Sequence, residues 1–170
     1  MGKYKFAIWG VVLVLIVYWA WPEGQEEALV YESAEACIRA GESDPDICRS
    51  EFENAKGIHE STAPRYQSVN QCQSDFGYNR CYRSGSIWLP FMMGYMLAPR
   101  GSSYIYSQPL YRTAGAPNSF HTASGGRIGA VSADGSTKVT KSRASRPAAR
   151  TRTVSRSGFG ARAAGRGAGG

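Results

Sequence analysis

Hydrophobic and polar residues are distributed very unevenly along the chain. Phe6 to Trp21 (FAIWGVVLVLIVYWAW) carries no charged or strongly polar side chain over sixteen residues. As a helix it would span about 24 Å, against a hydrocarbon core of about 30 Å. Lys3 and Lys5 can snorkel at one end, and Tyr18, Trp19 and Trp21 form an aromatic belt at the other before Pro22 stops the helix. This pattern predicts a transmembrane anchor over 6–22. Residues 1–5 are expected in the cytoplasm and the bulk of the chain across the membrane, because the positive residues precede the run. A buried core helix is the weaker rival, since the run is apolar on every face. A cleaved signal peptide is the stronger one. A cut after Ala20 would set Tyr18 at the upstream position and Pro22 just downstream, which fits the small-residue cleavage pattern poorly.

Beyond the anchor the pattern becomes helical and punctuated. Ser33 is placed to cap a short helix ending at Gly41. Asp44 caps a second, with Pro45 at its first position. Cys48, Phe52, Ala55 and His59 share one face of that helix, which must end before Pro64. Ser68 with Gln71 reads as a capping box opening a third helix, closed by Gly77.

Four cysteines, Cys37, Cys48, Cys72 and Cys81, all fall in this helical segment. They form no C-x-x-C knuckle, and His59 and His121 are not at zinc-ligand offsets, so no metal or cofactor is expected. An even cysteine count across a membrane reads as two disulfides, with three connectivities open. A weak internal repeat selects among them: Tyr31, Ser33, Cys37 and Gly41, then Cys48, are echoed by Tyr66, Ser68, Cys72 and Gly77, then Cys81. If each unit is one element, the pairing is Cys37–Cys48 and Cys72–Cys81. A segment of this size buries too little surface to be stable without such staples.

Next comes an apolar strip over residues 85–111, whose centre holds Trp88, Phe91, Met92, Met93, Tyr95 and Met96. Its strongly apolar part, the twelve residues from Ile87 to Ala98, is too short to cross a bilayer as a helix. It either packs on the helices as the missing half of their core or serves as a contact surface for a partner or the membrane interface.

Charge divides the chain again. Residues 23–83 carry 6 basic and 12 acidic side chains, whereas 112–170 carry 11 Lys and Arg and one acid, Asp134. The latter stretch is rich in Gly, Ala, Ser, Thr and Arg, and its composition predicts a long disordered tail. Its cationic character suits anionic lipid or another polyanion. Repeated RGG units and interleaved aromatics are missing, which argues against nucleic acid. No Ser/His/Asp set, carboxylate pair or phosphate loop is visible, so no enzyme is expected. A pocket lined by His59, Tyr66 and Asp75 would reopen that question.

The run YESAEAC, then C-x-x-x-F with STAPRY, C-x4-G-x3-C, WLPFMMGYM and QPLY resembles the YgiB-like family of small, uncharacterised envelope proteins of gamma-proteobacteria. The likeness covers roughly residues 29–111, with a further match near RTVSRSGFG. It brings no established activity and no catalytic residues. Many relatives begin with a lipoprotein-type signal ending in Cys, from which this chain departs. The resemblance also implies proximity to ATP-grasp amide ligases, which would make the terminal Gly170 a candidate for modification.

The sequence therefore predicts a mainly α protein. It has a single N-terminal transmembrane helix, a disulfide-stapled helical module over 23–84, the apolar strip over 85–111 and a disordered tail over 112–170. The expected setting is the bacterial inner membrane, with most of the chain periplasmic. The expected role is structural or interactional, with another envelope protein or anionic lipid as partner.

Overall fold

The computed structural model describes residues 12, 24–100, 104–150, 152–154 and 159. The anchor expected over 6–22 lies, apart from Val12, outside them. Among the described residues no helix is long and apolar enough to cross a membrane.

The three helices start and stop where local chemistry dictates. Helix α1 (Ala34–Ala40) begins as the Ser33 hydroxyl accepts the Ala36 N–H and ends at Gly41, whose φ of 74° places it in the left-handed region. Helix α2 (Pro45–Thr62) starts with Asp44 accepting the Asp46 N–H at 2.8 Å and stops ahead of Pro64. Helix α3 (Val69–Phe76) is capped by Ser68, which accepts the Gln71 N–H, and ends at Gly77.

A mainly α fold, however, is not what these helices build. Strand β1 (Gln25–Tyr31) precedes them. After them come β2 (Cys81–Ser84), β3 (Ile87–Pro90), β4 (Gly94–Arg100), β5 (Tyr104–Thr113), β6 (Ala116–Thr122) and β7 (Ser136–Thr140), then a last helical turn, α4 (Lys141–Ala144). Strands β2 and β3 form a hairpin. The other five make one antiparallel sheet in the order β6-β5-β4-β1-β7, so the fold is mixed α/β.

Side chains alternate across this sheet, and both faces are covered. Tyr31, Tyr95 and Leu97 point to α1 and α2, where they pack with Cys37, Cys48 and Ala55. Val30, Met96, Ala98, Leu110 and Phe120 point the other way and pack with Ile128, Val139 and Ala144. A strand buried on both faces has no polar alternation and reads as a continuous apolar run. That is why residues 94–98 present themselves in the sequence as an apolar strip rather than as a strand. A third cluster joins α3 and the hairpin to the sheet through Tyr66, Phe76, Leu89 and Tyr111.

The disordered tail is corrected as well. Residues from Arg112 to Thr140 complete β5, form β6 and supply the edge strand β7, which pairs with β1 from Gln25↔Thr140 to Leu29↔Ser136. The composition is poor in large apolar residues, but Phe120, Ile128 and Val139 need only cover a face the sheet already presents. Further on, the chain runs across the helical side. Arg150 donates its N–H to the Ser61 carbonyl and Val154 to that of Arg65, and the Phe159 ring lies 4.9 Å from that of Phe76.

Gly94 is needed where Phe120 covers the sheet: a Cβ there would sit 2.8 Å from the Tyr31 carbonyl oxygen and 3.0 Å from the Phe120 ring. Gly94→Ala is expected to lower stability by about 1–3 kcal/mol in urea unfolding, since strand backbone must move to admit the methyl. Replacing either Cys37 with Cys48, or Cys72 with Cys81, by alanine should each cost about 2.7 kcal/mol in the same measurement, from the restored chain entropy of the short loops.

Candidate functional site

Both disulfides are present with the within-unit pairing that the repeat selects. Cys37–Cys48 joins α1 to α2, with the Cα atoms 5.7 Å apart, and Cys72–Cys81 joins α3 to β2, with 6.2 Å. The first lies under the sheet, where the Tyr95 hydroxyl donates to the Cys48 carbonyl. Burial pushes the Tyr95 pKa up to about 12, so it remains a donor there.

The six residues of the apolar strip do not converge on one surface. Tyr95 and Met96 are fully buried on opposite faces of β4. Met92 packs against the helical cluster and Met93 against the opposite one. Trp88 in β3 is half-buried and exchanges two backbone hydrogen bonds with Tyr66. Phe91 alone of the six is exposed, and its ring stacks on Tyr82 at 5.1 Å. Gly170 lies outside the described residues.

His59, Tyr66 and Asp75 are buried, in two separate hydrogen-bonded groups. The His59 Nδ1 is 2.9 Å from the Tyr111 hydroxyl and its Nε2 is 3.0 Å from that of Tyr82. Tyr66 donates to Asp75 at 2.8 Å, and the Phe159 N–H also reaches that carboxylate. Burial raises the pKa of Tyr111 and, with Asp75 beside it, that of Tyr66. None of these three is among the residues that line the cleft beside α1 and the loop 125–135. They are polar connectors of the core beneath the C-terminal strap.

That cleft, of about 1300 Å³, lies elsewhere, between the end of α1, strand β6 and the loop 125–135. Four guanidiniums line it, from Arg39, Arg112, Arg127 and Arg143, with Glu32 as the lone carboxylate among the lining residues. Arg112 donates to Glu32 at 2.6 Å, and its guanidinium lies 4.4 Å from the centre of the Phe120 ring. Arg127 donates to the Ser119 hydroxyl. Arg143 is held at both ends: its Nη1 donates to the Arg127 carbonyl, and its own carbonyl accepts from Gln108 Nε2. His121, 5% exposed, forms part of the wall. Burial lowers its pKa; the Ser119 carbonyl opposes that shift and Arg127 adds to it. Such an arrangement recognises an anion.

Sequence reasoning missed this cleft because three of its four arginines, Arg112, Arg127 and Arg143, fall in the stretch read as a disordered tail. A signal was there. Asp134-Gly135 is a turn pair, and Ser-Thr-Lys-Val-Thr over 136–140 alternates with β-branched residues at the buried positions. Among the described residues, no group of three or more His, Cys, Asp or Glu is arranged to hold a metal ion.

Comparison with known proteins places the chain among uncharacterised sequences. The profile of a family described as "Protein of unknown function (DUF1190)" matches residues 25–169. A "UPF0441 protein" of Serratia proteamaculans is 32% identical over 159 residues, covering 81% of this chain and 72% of the relative. One from Erwinia tasmaniensis is 31% identical over 160 residues, with the same coverage of each chain. A third, from Yersinia pseudotuberculosis, is 31% identical over 162 residues, covering 79% of this chain and 70% of the relative. These relatives agree with the YgiB-like resemblance carried by the sequence motifs. No solved structure matches the chain.

The buried imidazole has a measurable consequence. Burial pushes the His59 pKa down to about 4 from its ordinary 6.5. The unfolded chain therefore takes up a proton that the folded chain refuses. Stability is complete above pH 6.5 and falls as the pH drops towards 4, by on the order of 3 kcal/mol. His121 shifts in the same direction, so His59→Gln should flatten most, not all, of this acid limb in urea unfolding as a function of pH.

Proposed function

Because the chain belongs to the DUF1190 family, whose function is unknown, we propose that it is a non-enzymatic envelope protein of the extracytoplasmic space that acts by contact. One observation carries this reading: all four cysteines are consumed in two bridges that fasten helix to helix and helix to strand. Disulfides of this structural kind persist in oxidising compartments and are rare where glutathione keeps thiols reduced. The apolar run of residues 6–21 supports attachment of the module to the membrane that bounds such a compartment.

The contact surface is the cationic cleft, and the partner is an anionic component of the envelope. An enzymatic role has less support. Of the polar groups with shifted pKa values in the core, His59 bonds to Tyr111 and Tyr82 and Tyr66 to Asp75, and none of them lines the cationic cleft.

Thiol labelling in cells tests the compartment and the staples together. A membrane-impermeant maleimide should label none of the four cysteines in outer-membrane-permeabilised cells, should label the half-buried Cys81 once an impermeant reductant is added with the inner membrane still intact, and should label all four after lysis in reductant and denaturant. Free thiols in freshly trapped protein, or labelling of Cys81 that requires rupture of the inner membrane, would overturn the reading.

A further inference from the structure

We propose that the cleft is a binding site for a phosphoryl group, held by Arg39, Arg112, Arg127 and Arg143. This deepens the contact reading above and rests on it.

Charge is the first argument. Arg112 has Glu32 as its counter-ion, whereas Arg39, Arg127 and Arg143 have no carboxylate within ion-pair distance among the described residues. Arg127 and Arg143 spend one donor each on neutral oxygens, those of Ser119 and of the Arg127 backbone. Each guanidinium has five N–H donors, so most of the fork on both stays free for a ligand. Arg127 and Arg143 are unmatched and Arg39 feels only Glu35 on its own helix, so this concave surface carries an excess of positive charge that an anion relieves.

Desolvated nitrogen is the second argument. Arg112 Nε is buried with no hydrogen-bond partner among the described residues, and the His121 ring is buried with the Ser119 carbonyl near it. An unmade hydrogen bond at a buried polar atom is costly, and functional sites are where such costs are tolerated. Both residues line the same cleft. The Phe120 ring beneath the Arg112 guanidinium keeps that side chain from swinging out to water.

Ligand chemistry follows from the count. A single carboxylate would neutralise one of the cleft's cations, whereas a phosphate monoester brings about −1.5 to −2 charge and three acceptor oxygens matched to guanidinium forks. At about 1300 Å³ and open to solvent, the cleft exceeds the range of about 300–1000 Å³ usual for a small-molecule pocket. That favours a phosphoryl group displayed on a larger body, such as a lipid headgroup, over free phosphate.

The test uses the full-length protein in neutral detergent, at fixed ionic strength. Inorganic phosphate is titrated by calorimetry, and flotation measures binding to phosphatidylcholine vesicles doped with phosphatidic acid or with phosphatidylglycerol. Saturable binding of phosphate, and stronger binding to phosphatidic acid than to the singly charged phosphatidylglycerol, is expected. Competition between phosphate and the vesicles shows one site, and vesicle binding that outlasts phosphate at equal phosphoryl concentration identifies the headgroup as the source.

Arg39→Ala combined with Arg127→Gln should weaken both by about tenfold or more, with urea unfolding unchanged. Lys138→Ala, which removes one charge from β7 outside the cleft, should leave them unaltered. Absence of saturable binding, or an equal loss from Lys138→Ala, overturns the site. If the thiols are blocked in cells yet phosphoryl binding fails, the site falls and the contact reading survives. Free thiols sink that reading whatever the calorimetry shows.

Discussion

Strand β1 is the constraint on which the rest of the molecule depends. It is flanked on one side by β4 and on the other by β7, so residues near 25–31 must meet residues near 95–97 and near 136–140 at once. One edge of β1 holds the middle of the chain and the other holds its late segment. Through Tyr31 the strand reaches the helical face, and through Val30 it reaches the opposite one. The Tyr31 hydroxyl also donates to the Asp134 carbonyl in the turn before β7, and the Val30 N–H donates to that of Gly135. Without β1, β4 would lose its neighbour on that edge and β7 would have no partner in the sheet.

The same pairing explains the odd distribution of charge. An acidic first half and a basic second half look like separate functional segments in the sequence, but the sheet brings them side by side. Glu27 stands opposite Lys138 in register, Glu26 is 4.0 Å from Lys141, and Glu32 pairs with Arg112. These exposed ion pairs add little stability individually. Their effect is on where the remainder goes. The basic segment has more cations than its neighbours can match, and part of the surplus gathers around the cleft beside α1 and the loop 125–135.

The helices were legible in the sequence because their signals are local: a Ser or Asp cap, a proline at the first position, a glycine at the end, and an apolar face at helical spacing. The cysteine pairing was legible for a related reason, since each bridge spans one repeat. The strands were not. Strand β4 hides its alternation because both faces are buried. Strand β5 contains Ser107, Gln108 and Pro109, all fully or nearly fully buried, and β6 contains Pro117 and Asn118. These residues disfavour strand assignment, and the buried Gln108 is accommodated by a long-range partner, the Arg143 carbonyl that accepts from it. The cleft followed the strands out of view. Its arginines come from α1, β5, the loop after β6 and α4, and nothing short of the assembled sheet places them together.

The cysteines are bonded in consecutive pairs, first with second and third with fourth, and the two loops do not interleave. A polypeptide threaded from its N-terminus into an oxidising space would present Cys37 and then Cys48, and only later Cys72 and Cys81. Sequential oxidation in order of emergence therefore yields the native connectivity, and no shuffling of mispaired sulfurs by an isomerase is called for. Both covalent links can be in place while β7 has yet to arrive, so the helical half is locked into shape before the sheet that supports it is finished.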